Sequence, residues 1–226
     1  SYQHAKMQVM RILLASTNMG KTVELRQMLA QTGVELAALG DLATAEQIET
    51  GSTFSENALL KARYYRDASG LPTIADDSGL EVSALGGAPG VHSARYGGPG
   101  VSDADRIKKL LDAMKDVPPE KRCARFVCVA AISWDGGEQA FRGEAVGQIL
   151  TEPRGVGGFG YDPVFFYEPL GKTFAELTAT EKAKVSHRGR AFRQLAEWLR
   201  ETQALDSSRP GDRIDDPTGD TRACSQ

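Results

Sequence analysis

The sequence predicts an α/β fold, on three observations. An apolar strand near the start runs into a helix of matching amphipathic spacing, a strongly capped helix is followed by a second apolar strand, and the longest apolar run folds back through an Asp-Gly-Gly turn. A chain of 226 residues can bury a sizeable core in one domain, read here as residues 10–204, with an extension at 1–9 and a tail at 205–226.

The elements follow in order. Arg11-Ile12-Leu13-Leu14-Ala15 reads as a short buried strand, and residues 21–31 carry Val23, Leu25, Met28 and Leu29 at roughly helical spacing. Gly33 supplies the left-handed stop, and a second strand is expected over residues 34–39, before a polar segment at 41–52. Thr53-Phe54-Ser55-Glu56 is a capping-box pattern and starts a helix reaching about Asp67, with Asn57 and Lys61 one turn apart. Residues 71–75 form a brief apolar strand ending in Asp76-Asp77-Ser78-Gly79, and a Gly-Pro-rich loop at 86–100 precedes a helix at 103–114. Residues 124–134 and 139–149 read as two antiparallel strands around Asp135-Gly136-Gly137. Ser186 caps a last helix reaching about Glu201, with Phe192, Leu195, Trp198 and Leu199 on one face. From 205 the composition turns to Asp, Arg, Ser, Pro and Gly without aromatics, as in a disordered tail.

Composition narrows the function. Hydrophobic residues at 41% and charged residues at 25% are ordinary globular values. A net charge of -3 and 7% aromatics speak against a nucleic-acid surface, which needs clustered Lys and Arg interleaved with stacking rings. Without an apolar run of roughly 18 residues or an apolar leader, a cytoplasmic protein with no membrane partner is expected. Of Cys123, Cys128 and Cys224, the first two sit five apart in a strand and point to opposite faces, so they do not pair.

Chemistry-bearing residues gather in four places. Ser16-Thr17-Asn18-Met19-Gly20-Lys21 joins a strand to a helix, where free amides and the helix dipole favour an anion and Lys21 adds a charge. A P-loop is excluded because Ala15 stands where its first Gly is required. Asp76-Asp77 are paired carboxylates at a strand end, suited to Mg²⁺, which takes one or two carboxylates plus substrate phosphates. Gly155 to Gly160 has dinucleotide-fingerprint spacing, but Tyr161-Asp162-Pro163 cannot open the required helix. The better use is a loop bringing Phe159 against a base, with Asp162 beside it; the plainer alternative is a hinge with Phe159 in the core. Lys182, His187 and Arg188 supply a point charge, a titratable ring and a planar fork of donors, or else merely a solvated basic helix start.

Together, Ser16-x-Asn18-x-x-Lys21, Thr53-Phe54-x-Glu56-Asn57-Ala58-x-x-Lys61-Ala62, Ala75-Asp76-Asp77-Ser78-Gly79-Leu80, Phe159-Gly160-Tyr161-Asp162 and Ser186-His187-Arg188 resemble the inosine triphosphate pyrophosphatase family. Gly86 to Gly90 and Ser93-Ala94-Arg95-Tyr96 look the same way, and the matches run in family order from about residue 10 to 200. The resemblance implies a homodimer with an elongated, bent mixed sheet, helices around two lobes, and the nucleotide in the cleft between them. It implies hydrolysis of ITP, dITP or XTP to the monophosphate and pyrophosphate, cleansing the nucleotide pool. Carried over by position, Ser16 to Lys21 hold the triphosphate and Lys61 adds charge to it. Asp77 binds Mg²⁺ and positions or deprotonates the water beside Asp76, and Ser78 touches the nucleotide. Phe159, Gly160, Tyr161 and Asp162 stack on the purine and fix its sugar side, while Lys182, His187 and Arg188 reach the base. The family often has two acidic residues before Thr-Gly; here the pair is Ile48-Glu49, leaving Glu49 as the candidate second metal ligand. Two other readings remain: a pyrophosphatase for another modified nucleotide, such as a pyrimidine, and a nucleotide-binding regulatory module without turnover.

Overall fold

The computed structural model describes residues 10–16, 19–40 and 50–207. Seven strands form one mixed sheet in the order β2-β1-β3-β4-β5-β6-β7. The strand β1 (Arg11–Ala15) lies parallel to β2 (Glu35–Ala38) and to β3 (Thr73–Val82). From β3 onward each neighbour is antiparallel: β4 (Cys123–Trp134), β5 (Gly137–Ile149), β6 (Phe165–Tyr167) and β7 (Lys172–Thr173). Parallel strands need long crossovers, and α1 (Met19–Leu29) and α2 (Phe54–Ser69) supply them. The remaining described helices are α3 (Asp103–Ala113), α4 (Ala179–Val185) and α5 (His187–Ser207).

Period-two alternation divides the core. Ile12, Leu14, Ile74, Cys128, Ala130 and Ile132 face one side, under Leu25 and Leu29 of α1 and Phe192, Leu195 and Leu199 of α5. Leu13, Ala15, Ala75, Val127, Val129 and Ala131 face the other, under Phe54, Ala58, Ala62 and Tyr65 of α2. A third cluster joins the far ends of β3 to β5 with α3 and with Tyr161, Phe165 and Phe174. Each fully buried Leu or Phe stabilises the fold by roughly 1.5–3 kcal/mol, so both faces of the sheet are firmly covered.

Local signals place the elements that carry the site. Thr53 accepts from the N–H of Glu56 while Glu56 reaches back to Thr53 N–H, completing the expected capping box of α2. Ser186 caps α5 by accepting from Gly189 N–H at 3.0 Å. Gly33 takes φ 75 at the expected stop before β2. The hairpin β4–β5 pairs Trp134 with Gly137 across an Asp135-Gly136 turn.

Three expectations are corrected. The strand placed at 71–75 extends through Asp76, Asp77, Ser78 and Gly79 to Val82, paired throughout with β4, so the acid pair lies within a strand. What ends at Ala75 is its pairing with β1: Ala15↔Ala75 is the last contact. The first helix starts earlier, at Met19, and closes in a tighter turn at Ala30–Thr32. Lys182 belongs to a separate helix, α4, whose Thr178 and Glu181 form their own capping box. Residues 1–9, 41–49 and 208–226, and with them the extension, most of the polar segment and most of the tail, lie outside the described residues. Among those described, no helix is long and apolar enough to cross a membrane.

Candidate active site

Strand geometry separates the two adjacent aspartates. Ile74 faces α1 and α5, so Asp76 and Ser78, two and four residues on, share that face, while Asp77 follows Ala75 towards α2. Because β1 stops opposite Ala75, no strand among the described residues pairs with Asp76 and Asp77 on that edge, which lies near the end of β1 and Lys21 of α1. Groups on both faces can therefore serve one ligand at the carboxyl end of the parallel strands, the usual site in open α/β sheets.

On the α2 side, Asp77 is 6% exposed and accepts from Asn57 Nδ2 at 3.0 Å and from Ser78 N–H at 3.0 Å. Asn57 Oδ1 in turn accepts from Gly51 N–H at 2.8 Å, tying the carboxylate to the segment ahead of α2. One turn further along α2, Lys61 Nζ donates to the backbone carbonyl of Asp76 at 3.0 Å.

On the α1 and α5 side, Asp76 is 3% exposed and gathers cations. Lys21 Nζ lies at 3.3 Å and Arg188 Nε at 3.7 Å from Oδ2, which also accepts from Ser78 Oγ at 2.8 Å. Burial opposes ionisation of Asp76, but the charges of Lys21, Arg188 and Lys61 outweigh it and hold the carboxyl well below its ordinary range. Cys128, paired with Ser78 on β4, is raised to about 12 by burial and by Asp76, so its thiol stays protonated and inert at neutral pH.

A cavity opens above this floor, lined by Lys21, Ser78, Phe159, Gly160, Tyr161, Asp162, Lys182, His187 and Arg188. Lys182 (5% exposed) and Arg188 (2%) are not a solvated helix start. Lys182 Nζ donates to Asp162 Oδ2 at 2.6 Å, and Glu24 on α1 bridges Lys182 (3.7 Å) and Arg188 (3.1 Å). Both cations lie over the Phe159 ring, at 4.5 and 5.4 Å from its centroid, and Phe159 is half-buried at the cavity wall, not in the core. Asp162 Oδ2 also accepts from Phe159 N–H at 2.9 Å. Burial raises the Asp162 carboxyl above its usual range, with Lys182 and that amide pulling against it. Gly158 takes φ 72, and a Cβ there would strike the Asp162 carboxylate, so this loop requires glycine.

His187 stacks on Phe126 with ring centroids 4.6 Å apart. Burial first, then the charges of Arg188, Lys182 and Lys21, push its pKa well below 6.5, and it is a neutral ring at pH 7. Its Nδ1 has no hydrogen-bond partner among the described residues. Such a buried atom, together with the cations over an aromatic ring, suits a planar polar ligand.

Of the residues singled out in the sequence, Thr17, Asn18 and Glu49 lie outside the described residues, and Met19 and Gly20 open α1. The rest converge on the edge of β3 or the cavity beside it. Sequence reasoning missed Glu24, although its i,i+3 spacing from Lys21 puts both on one face of α1. It also missed Asp103 and Arg106 on α3, which line the same cavity.

Fold and side chains define the class: an α/β protein whose cavity of cations and an aromatic ring suits an anionic, ring-bearing ligand. Comparison with known proteins then gives the particular family, and the chain belongs to the Ham1 family, whose model matches residues 12–198. A dITP/XTP pyrophosphatase of Thermus thermophilus is 52% identical over 189 residues, 83% of this chain and 91% of that protein. That of Escherichia coli K12 is 48% identical over 193 residues, covering 84% and 98%. Among solved structures, a HAM1 protein from Coxiella burnetii superposes with a TM-score of 0.77 at 42% identity, covering 85% of this chain and all of that one. The resemblance read from the motifs thus holds over most of the chain.

Proposed function

We propose that this protein hydrolyses the non-standard purine nucleoside triphosphates ITP, dITP and XTP to the monophosphate and pyrophosphate, removing them before they enter DNA or RNA. The observation that carries the reading is the convergence of Lys21, Lys61 and Arg188 around Asp76, with Phe159 and His187 in the adjoining cavity. The base lies against Phe159 in a cleft between two lobes, near the donors of Lys182, His187 and Arg188. The phosphates run over the start of α1, where helix-end amides and Lys21 meet them. Lys61 adds charge from the α2 side.

Asp77 orients the attacking water towards the α-phosphorus and takes its proton. Its carboxylate is aimed by Asn57 and by Ser78 N–H. Charge developing on the phosphoryl oxygens and on the departing pyrophosphate meets preorganised cations in a partly dry site, where they act more strongly than in water. Asp76, locked ionised, holds those cations in place.

Among the described residues, no group of three or more His, Cys, Asp or Glu could hold a metal ion. The residues nonetheless fit Mg²⁺, which binds through one or two carboxylates plus substrate phosphates and water. Asp77 is the carboxylate on the α2 face of β3 that suits the ion, because Asp76 faces the other way and is held by cations. Glu49, two residues before Gly51, is the second candidate. When bound, the ion neutralises phosphate charge and lowers the pKa of a coordinated water.

Selectivity follows from donors aimed at a 6-oxo group: adenine presents an amino group there, leaving buried polar groups unpaired at about 1–3 kcal/mol each. A homodimer, on the resemblance to the family, and a cytoplasmic enzyme without nucleic-acid partners, on composition and charge, complete the reading. Hydrolysis of dITP in ¹⁸O-labelled water tests the point of attack. Label in the monophosphate supports the scheme, and label in pyrophosphate overturns it.

A further inference from the structure

Asp103 and Arg106 open α3, a helix with no role in the scheme above, yet both line the cavity beside Phe159. Gly160 N–H donates to Asp103 Oδ2 at 2.7 Å across 57 residues of chain. Arg106 holds the other oxygen, its Nη1 donating to Oδ1 at 2.8 Å, and its Nη2 donates to the Val101 carbonyl at 2.7 Å. The cap of α3 does not need Asp103, because Ser102 Oγ already accepts from Asp105 N–H. One oxygen of a first-turn carboxylate is thus committed to a distant loop.

The consequence lies in two successive amides. Phe159 N–H is held by Asp162, itself gripped by Lys182, and Gly160 N–H is held by Asp103, gripped by Arg106. Each of two neighbouring peptide groups is thereby fixed by its own ion pair, from α4 on one side and α3 on the other. Fixing the peptide groups before and after a residue fixes the direction of its Cα–Cβ bond. The backbone that carries Phe159 is held from both helices, while Tyr161 OH, donating to the Ser93 carbonyl at 2.9 Å, anchors the next residue but one. Removing the α3 clamp leaves the hydrolytic carboxylate on β3 untouched and frees the aromatic wall.

We propose that Asp103, held by Arg106, is a positioning residue that sets affinity for the base half of the substrate through the orientation of Phe159. This rests on the nucleotide reading above. The test measures kcat and KM for dITP, and the inhibition constant of inorganic tripolyphosphate as a probe of the phosphate half alone, for wild type, Asp103→Ala, Asp103→Asn and Arg106→Gln. Asp103→Ala is expected to raise KM about threefold to fivefold, since the lost hydrogen bond is to a carboxylate whose side chain is 46% exposed and therefore screened, with kcat within about twofold and tripolyphosphate inhibition unchanged. Asp103→Asn keeps an acceptor for Gly160 N–H and should recover most of the loss, with Arg106→Gln between the two. An unchanged KM in Asp103→Ala and Arg106→Gln, or tripolyphosphate weakened as much as dITP, overturns the proposal. Wild-type protein that does not turn over dITP at all overturns the functional reading beneath it, which the wild-type arm alone reveals.

Discussion

Lys21 and Asp76 are 55 residues apart in sequence and 3.3 Å apart in space, and their contact ties the start of α1 to the strand carrying the acid pair. Lys21, Arg188 and Lys61 offset the cost of burying Asp76 and hold its carboxyl below its ordinary range, so it is ionised at neutral pH. It is therefore a fixed anion, while Asp77, aimed by an amide, is the group to which the proposed proton transfer is assigned.

Asp77→Asn should lower kcat by about 10²–10⁴-fold, the usual worth of a positioned acid or base. The fold should persist, since the amide keeps the size of the carboxylate. Turnover of dITP with circular dichroism on the same sample checks both, and wild-type activity would remove Asp77 from its role.

Asp76→Asn should destabilise the protein by about 1–3 kcal/mol at pH 7, because the buried Arg188, left with Glu24 alone, and the partly buried Lys21 lose a counter-charge. The folded-state pKa of Asp76 is depressed below the ordinary 3.8, so its contribution is complete above that pH and is lost as pH falls towards the folded value. Urea unfolding from pH 7 down to pH 3 should show the gap between wild type and variant constant at first and narrowing below about pH 4. A pH-independent gap would contradict the assignment.

His187 gives a second acid-side signature. Its pKa in the folded protein is depressed, by burial and then by neighbouring cations, below the ordinary 6.5. As pH falls through 6.5, the unfolded chain takes up a proton that the folded chain refuses, so stability declines by up to about 1.4 kcal/mol per pH unit. His187→Gln should abolish that part of the slope, and the His187 ring resonances of the folded protein should stay unshifted from about pH 8 to about pH 6. Titration near 6.5 would mean that the ring is not buried among cations.

Gly143 on β5 allows the start of α5 to lie directly on the sheet: a Cβ there would collide with the His187 carbonyl and the Ala191 amide. Gly143→Ala should cost about 1–3 kcal/mol as an overpacked contact and raise KM by displacing His187 and Arg188. Thermal unfolding and steady-state kinetics measure the two effects, and a silent substitution would show that α5 is not seated there.

The elements legible in the sequence were those with local causes. Thr53 and Glu56 announced α2, Gly33 ended the first helical segment, and Asp135-Gly136 turned the hairpin. The extent of β3 was not legible, because two adjacent carboxylates argue for a turn until Lys21, Lys61 and Arg188 arrive from elsewhere in the chain. β6 and β7, at three and two residues, are too short to show a period. α4 could have been found from Thr178 and Glu181, a capping box identical in form to that of α2. Within the site, residue types were readable but partnerships were not: Glu24 and Asp103 matter only through contacts with Lys182, Arg188 and Gly160.

The most direct test incubates the protein with dITP and, separately, ATP, each with and without Mg²⁺, and scores pyrophosphate against orthophosphate. Pyrophosphate and dIMP from dITP, only with the metal and with little product from ATP, is the expected result. Orthophosphate, or equal turnover of ATP, would contradict the claim that this site cleaves non-standard purine triphosphates at the α-phosphorus.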